Sequence, residues 1–197
     1  MILEGLVTTL SPSGELNVAP MGPRVEPEMR RFVLRPYRSS TTYGNLKASG
    51  EGVLHVTDDV LLLARAAIGQ PVDVPTREAE AVRGRILTTA CRYFEFRVVD
   101  LDDREDRTTI VAQTVAEGRF RDFFGLNRAK HAVVEAAILA TRVEFLPLTE
   151  ILAEYRKLAV LVEKTGGPDE HEAFKLLLEH VRDAARARGV AADEPTP

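Results

Sequence analysis

The chain has 197 residues, 45% hydrophobic and 28% charged, the proportions of a globular protein rather than a disordered one. Its 26 basic and 30 acidic residues are interspersed and leave a net charge of −4, which argues against broad nucleic-acid binding. No apolar run reaches membrane-spanning length, four scattered histidines and one cysteine argue against a structural zinc site, and that lone cysteine, with no signal-peptide pattern at the N-terminus, points to a reducing, cytoplasmic compartment.

Residues 2–10 read as a strand, Ser11-Pro-Ser-Gly14 as a turn, and residues 16–19 as the hairpin partner. Pro20-Met-Gly-Pro23 should then break the ladder, because proline lacks the backbone donor. A polar loop through 26–30 leads to a strand at 31–34. Residues 39–48 fit a short helix capped by Ser40 or Thr41 and ended by Gly50. A strand at 52–56 and a helix at 58–68, stopped by Gly69, follow, with a loop at 71–77. Residues 92–100 alternate apolar with charged side chains, the pattern of a half-buried strand. Across a charged turn at 102–107, the β-branched stretch 108–116 is its hairpin partner.

The character changes at Asn127. An Ala-rich helix is expected over 128–145, ended by Pro147. A second is expected over 149–164 with Thr149 as cap, and a third over 170–188 after Gly166-Gly167-Pro168. Residues 189–197 read as a frayed polar tail. The chain thus divides into a strand-rich domain, 1–125, and a helical C-terminal domain, 126–197. Strands joined by hairpins ahead of helices favour an antiparallel barrel or sandwich with helical additions; no G-x-G-x-x-G supports a dinucleotide fold.

The densest set of ligand donors is Arg35-Pro-Tyr-Arg-Ser-Ser-Thr-Thr-Tyr-Gly-Asn45. Arg35 or Arg38 offers a fork matched to phosphate oxygens, and Ser39, Ser40, Thr41 and Thr42 offer hydroxyls. A helix starting there would add its free N–H groups and positive end. The same residues serve equally as a turn and helix cap. In Asn17-Val18-Ala19-Pro20-Met21-Gly22, backbone groups freed from the ladder suit the polar edge of a heteroaromatic ring, with Met21 against its face. A β-bulge and turn is the plainer account. Arg128, Lys130 and His131 sit in the first turn of the Ala-rich helix, where cations oppose its dipole; an anionic ligand or acidic residues would compensate.

Other groups read as structural. Cys91 is expected to be packed and inert despite neighbouring Arg92, and His55 to face the core or a ligand. Glu135 and Arg142 suit a buried ion pair or a subunit contact. Lys164-Thr-Gly-Gly167 lacks phosphate-loop spacing, and His171 and His180 read as surface or packing residues.

Taken together, the order of strand, N-x-x-P, strand, T-x-x-N, strand resembles the FMN-binding split β-barrel proteins, the class of flavoredoxin and the flavin reductases. There a K-D-T-x-x-N segment holds the FMN phosphate. Here Thr42-Tyr-Gly-Asn45 matches T-x-x-N, while Ser40 and Thr41 replace the lysine and aspartate, leaving Arg35 and Arg38 to supply charge. Leu3–Thr9, Asn17–Pro23, Arg35–Tyr43, His55–Leu63 and Asn127–Ala137 look like one archaeal and bacterial family of that superfamily, over nearly the whole chain. The resemblance implies an antiparallel split β-barrel followed by a small helical domain. It also implies bound FMN, a homodimer with FMN at the subunit interface, and NAD(P)H or a protein as electron donor. It assigns the phosphate to Arg35, Ser39, Thr41, Thr42 and Asn45, the ring to the backbone of 17–22, and a supporting role to Arg128 and Lys130. Flavin-reductase-like oxidoreduction, a non-enzymatic electron carrier or sensor, and a barrel that has lost its flavin remain three separate readings.

Overall fold

A computed structural model describes residues 1–190. The strands are β1 Gly5–Leu10, β2 Leu16–Met21, β3 Arg24–Val25, β4 Arg31–Leu34, β5 Glu51–Val56, β6 Thr76–Glu78, β7 Arg85–Leu87, β8 Arg92–Asp102 and β9 Thr109–Arg119. The helices are α1 Thr41–Ser49, α2 Val60–Ala67, α3 Arg128–Ala140, α4 Leu148–Thr165 and α5 Pro168–Ala187. Two compact units result: residues 1–58 with 73–123, and residues 59–72 with 124 onward. Of the tail expected over 189–197, everything from residue 191 lies outside the described residues.

The first unit is the expected antiparallel split β-barrel. Seven strands pair in the order β2-β1-β5-β8-β9-β4-β3. Residues ahead of β1 run beside β3, with Val25 N–H donating to the Met1 carbonyl at 2.9 Å and Leu3 N–H to the Pro23 carbonyl at 3.1 Å. Those bonds tie the segment leading into β1 to β3, while β2 keeps an unpaired outer edge. Register shifts in β8–β9 at Glu95/Phe96 and Val98/Asp100 are bulges that sharpen the curl. Inside lie Val7, Phe32, Leu34, Leu54, Phe94, Phe96 and Ile110, joined by Tyr43 and Leu46 of α1.

Within β8 the half-buried alternation fails at residues 93–96: Tyr93, Phe94, Glu95 and Phe96 are all buried. Phe94 and Phe96 face the barrel interior, whereas Tyr93 packs with Val53, Val82 and Ile86 on the outer face. The cover is the β6–β7 hairpin, whose short strands carry no strong alternation. Three buried polar side chains fasten it. Thr8 donates to the Arg85 carbonyl at 2.6 Å, His55 Nε2 accepts from Leu87 N–H at 3.0 Å, and Glu95 accepts from the N–H groups of Glu80, Ala81 and Val82 at 2.6–3.2 Å. His55 Nδ1 faces the Leu6 carbonyl at 3.3 Å, so the ring is a neutral tautomer that donates at one nitrogen and accepts at the other. Burial pushes its pKa down to about 4.

β2 continues through Pro20 to Met21 instead of breaking there. It is a sheet-edge strand, where proline's missing N–H costs no ladder bond. The first strand begins at Gly5 rather than residue 2, because Ile2 pairs with Arg24 instead.

In the second unit, α3 is central, touching α2, α4 and α5. Its Ala129, Ala132, Ala136, Ala137 and Ala140 are each at most 2% exposed, so the alanine face is used up within the unit. α3 stops at Ala140, not 145, and Pro147, not Thr149, is the N-cap of α4. Arg142 therefore lies beyond the helix, and both it and Glu135 are exposed, not a buried pair. The Tyr155 hydroxyl donates to the Ala136 carbonyl at 2.7 Å and ties α4 to α3. Among the described residues no helix is long and apolar enough to cross a membrane.

Candidate functional site

α1 begins where hydroxyl residues cluster. Ser40 is the N-cap: its Oγ accepts from Tyr43 N–H at 3.2 Å and donates to the Tyr37 carbonyl at 2.7 Å. Thr41 opens the first turn instead of capping it. The N–H groups of Thr41 and Thr42 precede the first intrahelical bond and point out of the helix start. Gly50, at φ 69°, closes the helix.

The helix packs on β1 and β2, which brings together three of the expected residues. Asn17 Nδ2 donates to Thr9 Oγ1 at 3.2 Å and to Thr42 Oγ1 at 3.1 Å. Asn45 Nδ2 donates to the same Thr9 Oγ1 at 3.0 Å. Thr9, Thr42 and Asn45 are buried, and Asn17 is half-buried. Thr9 is the residue that motif reading misses. Its signal is register: in the β1–β2 hairpin it stands directly opposite Asn17.

Arg35 and Arg38 lie on the approach to α1. Arg35 Nε is buried with no hydrogen-bond partner, alone in that respect among the buried side-chain nitrogens and oxygens of the described residues. A buried charged donor left unmatched is costly and needs an acceptor. Arg38, Ser39 and Thr41 are exposed. The Arg38 N–H bonds to the Asp106 carbonyl at 2.8 Å, and its guanidinium helps to hold the Asp103 carboxyl down, behind the larger effects of Lys47 and Tyr43. Lys47 Nζ, the Tyr43 hydroxyl and Asp103 Oδ2 form a triangle with sides of 2.7–3.0 Å beside the helix.

Along β2, Val18, Ala19, Pro20 and Met21 are half-buried and Gly22 is exposed. Met21 packs against the barrel core. The strand pairs only with β1, so its outer edge presents backbone groups to whatever lies beside it.

Arg128 and Lys130 belong to the helical unit. Arg128 is exposed. Lys130 Nζ pairs with Glu170 Oε1 at 2.7 Å, so the acid that compensates this cation is internal, on α5. Burial alone would raise the Glu170 pKa, but Lys130 and the Gly167 N–H outweigh it and hold the carboxyl low. Asn127 caps α3 by accepting from Lys130 N–H at 3.0 Å. Cys91 is buried, as expected, and burial raises its thiol pKa.

A concavity of about 440 Å3 opens elsewhere on the barrel, lined by Cys91, Arg92, Arg119, Arg121 and Phe123 among others. Its arginines already face acids: Arg92 with Glu117, Arg119 with Asp122, and Arg121 in a two-pronged pair with buried Asp58. Arg35 Nε, by contrast, is buried without a hydrogen-bond partner among the described residues, which makes the start of α1 the stronger anion site.

The N-terminal domain model of the family described as "Protein of unknown function (DUF447)" matches residues 3–120, and the companion DUF447 model matches 127–179. A crystal structure of an FMN-bound DUF447 protein from Methanosarcina mazei superposes with a TM-score of 0.76 at 25% identity, over 91% of this chain and 94% of that one. Flavoredoxin of Methanosarcina acetivorans gives 0.51 at 13% identity, over 60% of this chain and 68% of that one. Nitrilotriacetate monooxygenase component B of Bacillus cereus gives 0.51 at 18%, over 60% and 70%. The last two share the barrel fold.

Proposed function

This chain belongs to the DUF447 family, and from that premise we propose that it is a flavoprotein that binds FMN and acts as a flavin-reductase-like oxidoreductase. The observation that carries the reading is the unmatched, buried Nε of Arg35 ahead of the Ser40-capped start of α1. A phosphate monoester supplies the acceptors that this guanidinium and the first-turn N–H groups lack. Thr42 Oγ1, which already accepts from Asn17, keeps its proton to donate. The donor set therefore fits the phosphate end of FMN.

Arg35, with Arg38, Ser39, Thr41 and Thr42, would hold that phosphate; Ser40, whose Oγ and backbone N–H both donate to the Tyr37 carbonyl, serves as the helix cap instead. The outer edge of β2, from Asn17 to Gly22, would meet the ring. Bound FMN would supply hydride or electron transfer. The residues of this chain hold and orient it, while the buried β1–α1 packing excludes water from the hub around Thr9. We place flavin binding in the strand-rich domain expected over 1–125, from which α2 departs by packing with the helical domain expected over 126–197, in a cytoplasmic homodimer with FMN at the subunit interface, reduced by NAD(P)H or by a protein donor. Exposed Phe124, Leu126 and Phe145 give the helical unit apolar surface for a second copy.

One observation favours a second reading, an electron carrier or sensor. The side chains that meet at Thr9 are amides and hydroxyls, none of which transfers protons near neutral pH. Anaerobic titration of the FMN-loaded protein with NADH and NADPH decides. Bleaching of the flavin absorbance by either donor supports the reductase; a flavin reduced only by dithionite supports the carrier.

A further inference from the structure

Asn17 spends its amide nitrogen fully on the protein, and Asn45 spends half of its own. Asn17 Nδ2 has two protons, and both are used, one on Thr9 and one on Thr42. Asn45 gives one of its two to Thr9. Thr9 Oγ1 thereby accepts two amide N–H groups, which fills its lone pairs and fixes the rotation of both carboxamides. The two Oδ1 atoms are different. Neither has a partner among the described residues, and neither is sealed off, since the only buried side-chain nitrogen or oxygen without a partner there is Arg35 Nε.

These oxygens accept and cannot donate. A phosphate dianion also accepts, so it repels them and gains nothing from Asn17. We propose that Thr9 is a positioning residue that turns Asn17 and Asn45 into a pair of hydrogen-bond acceptors for the uncharged hydroxyl donors of a ribityl chain, next to the phosphate donors of Arg35 and α1. This rests on the flavin reading above and gives the Asn45 oxygen, as well as that of Asn17, to the polyol. Two chemistries then sit side by side. Arg35 and the helix start take the anion; the Thr9-oriented amides take the hydroxyls that lead away from it.

The test is the dissociation constant of FMN, riboflavin and lumiflavin, which carry respectively phosphate and ribityl, ribityl alone, and neither. Thr9→Val keeps shape and removes the acceptor. It is expected to weaken FMN and riboflavin by the same factor, about tenfold, and to leave lumiflavin unchanged. Thr9→Ser should bring both back to within about threefold of wild type, because the hydroxyl returns. Arg35→Ala should weaken FMN alone. Far-UV circular dichroism checks folding. If Thr9→Val does not fold, Asn45→Leu, which leaves β1 untouched, should show the same parallel loss. A loss confined to FMN, or no loss, overturns the role of Thr9. A parallel loss of lumiflavin overturns the ribityl assignment in favour of the ring. Wild-type protein that binds none of the three overturns the flavin reading itself, and this inference with it.

Discussion

Asn17 and Thr42, 25 residues apart in the chain, are joined by a 3.1 Å amide–hydroxyl hydrogen bond that ties the edge strand β2 to the first turn of α1. The contact couples the strand proposed to meet the ring with the helix start proposed to meet the phosphate. Thr42→Val removes the acceptor in a site only 2% exposed. The expected cost is about 1–2 kcal/mol in urea unfolding, together with weaker FMN binding. Thr42→Ser should recover most of both. Unfolding curves of the three proteins, with and without FMN, check this.

The β6–β7 hairpin hangs on Glu95. Its carboxylate, fully buried, accepts three backbone N–H groups between 2.6 and 3.2 Å. Glu95→Gln removes the charge and turns an amide donor toward donors. We expect a loss of about 2–3 kcal/mol, with faster hydrogen exchange at residues 80–82, read by mass spectrometry.

His55 makes stability depend on pH. Its folded pKa lies near 4, below the 6.5 of the unfolded chain, so between those values the unfolded state binds more protons. The neutral ring's contribution is fully present above pH 6.5, falls as pH drops from 6.5 towards 4, and levels off below. The span is about 3 kcal/mol, from roughly 1.4 kcal/mol per pKa unit. Urea midpoints measured from pH 8 to pH 4 should fall over that window, and His55→Gln should flatten this part of the profile.

Gly5 is required by its neighbour across the β1–β5 pair. A Cβ there would lie 2.5 Å from the His55 carbonyl oxygen, a backbone atom within the barrel sheet. Gly5→Ala should destabilise by about 2 kcal/mol or more and lower soluble yield, whereas Gly44→Ala, with open space around it, should be well tolerated. Thermal melts of the two variants compare them directly.

Much of the barrel was legible in the sequence because hairpin turns and period-2 alternation are local signals. The β1–β2 hairpin, β8–β9 and the Ser40-capped α1 are of that kind. Other features depended on long-range packing. Residues 93–96 of β8 are buried on both faces because a hairpin with short, weakly patterned strands covers the outer side there. Pro20 stays in a strand because that strand is at the edge. The alanines of α3 are buried within the helical unit, where α3 packs on α2, α4 and α5. At the site, Arg35, Thr42 and Asn45 announced themselves as motif residues. Thr9 did not, since a threonine in a strand is ordinary until its register partner, Asn17, is known.

The central claim is that Arg35 supplies the charge for a flavin phosphate. Equilibrium dialysis of FMN against wild type and Arg35→Ala tests it most directly. The account predicts one FMN per chain for wild type and a loss of affinity of about tenfold or more for the variant, with riboflavin binding unchanged. Equal FMN affinity in the two proteins would contradict it.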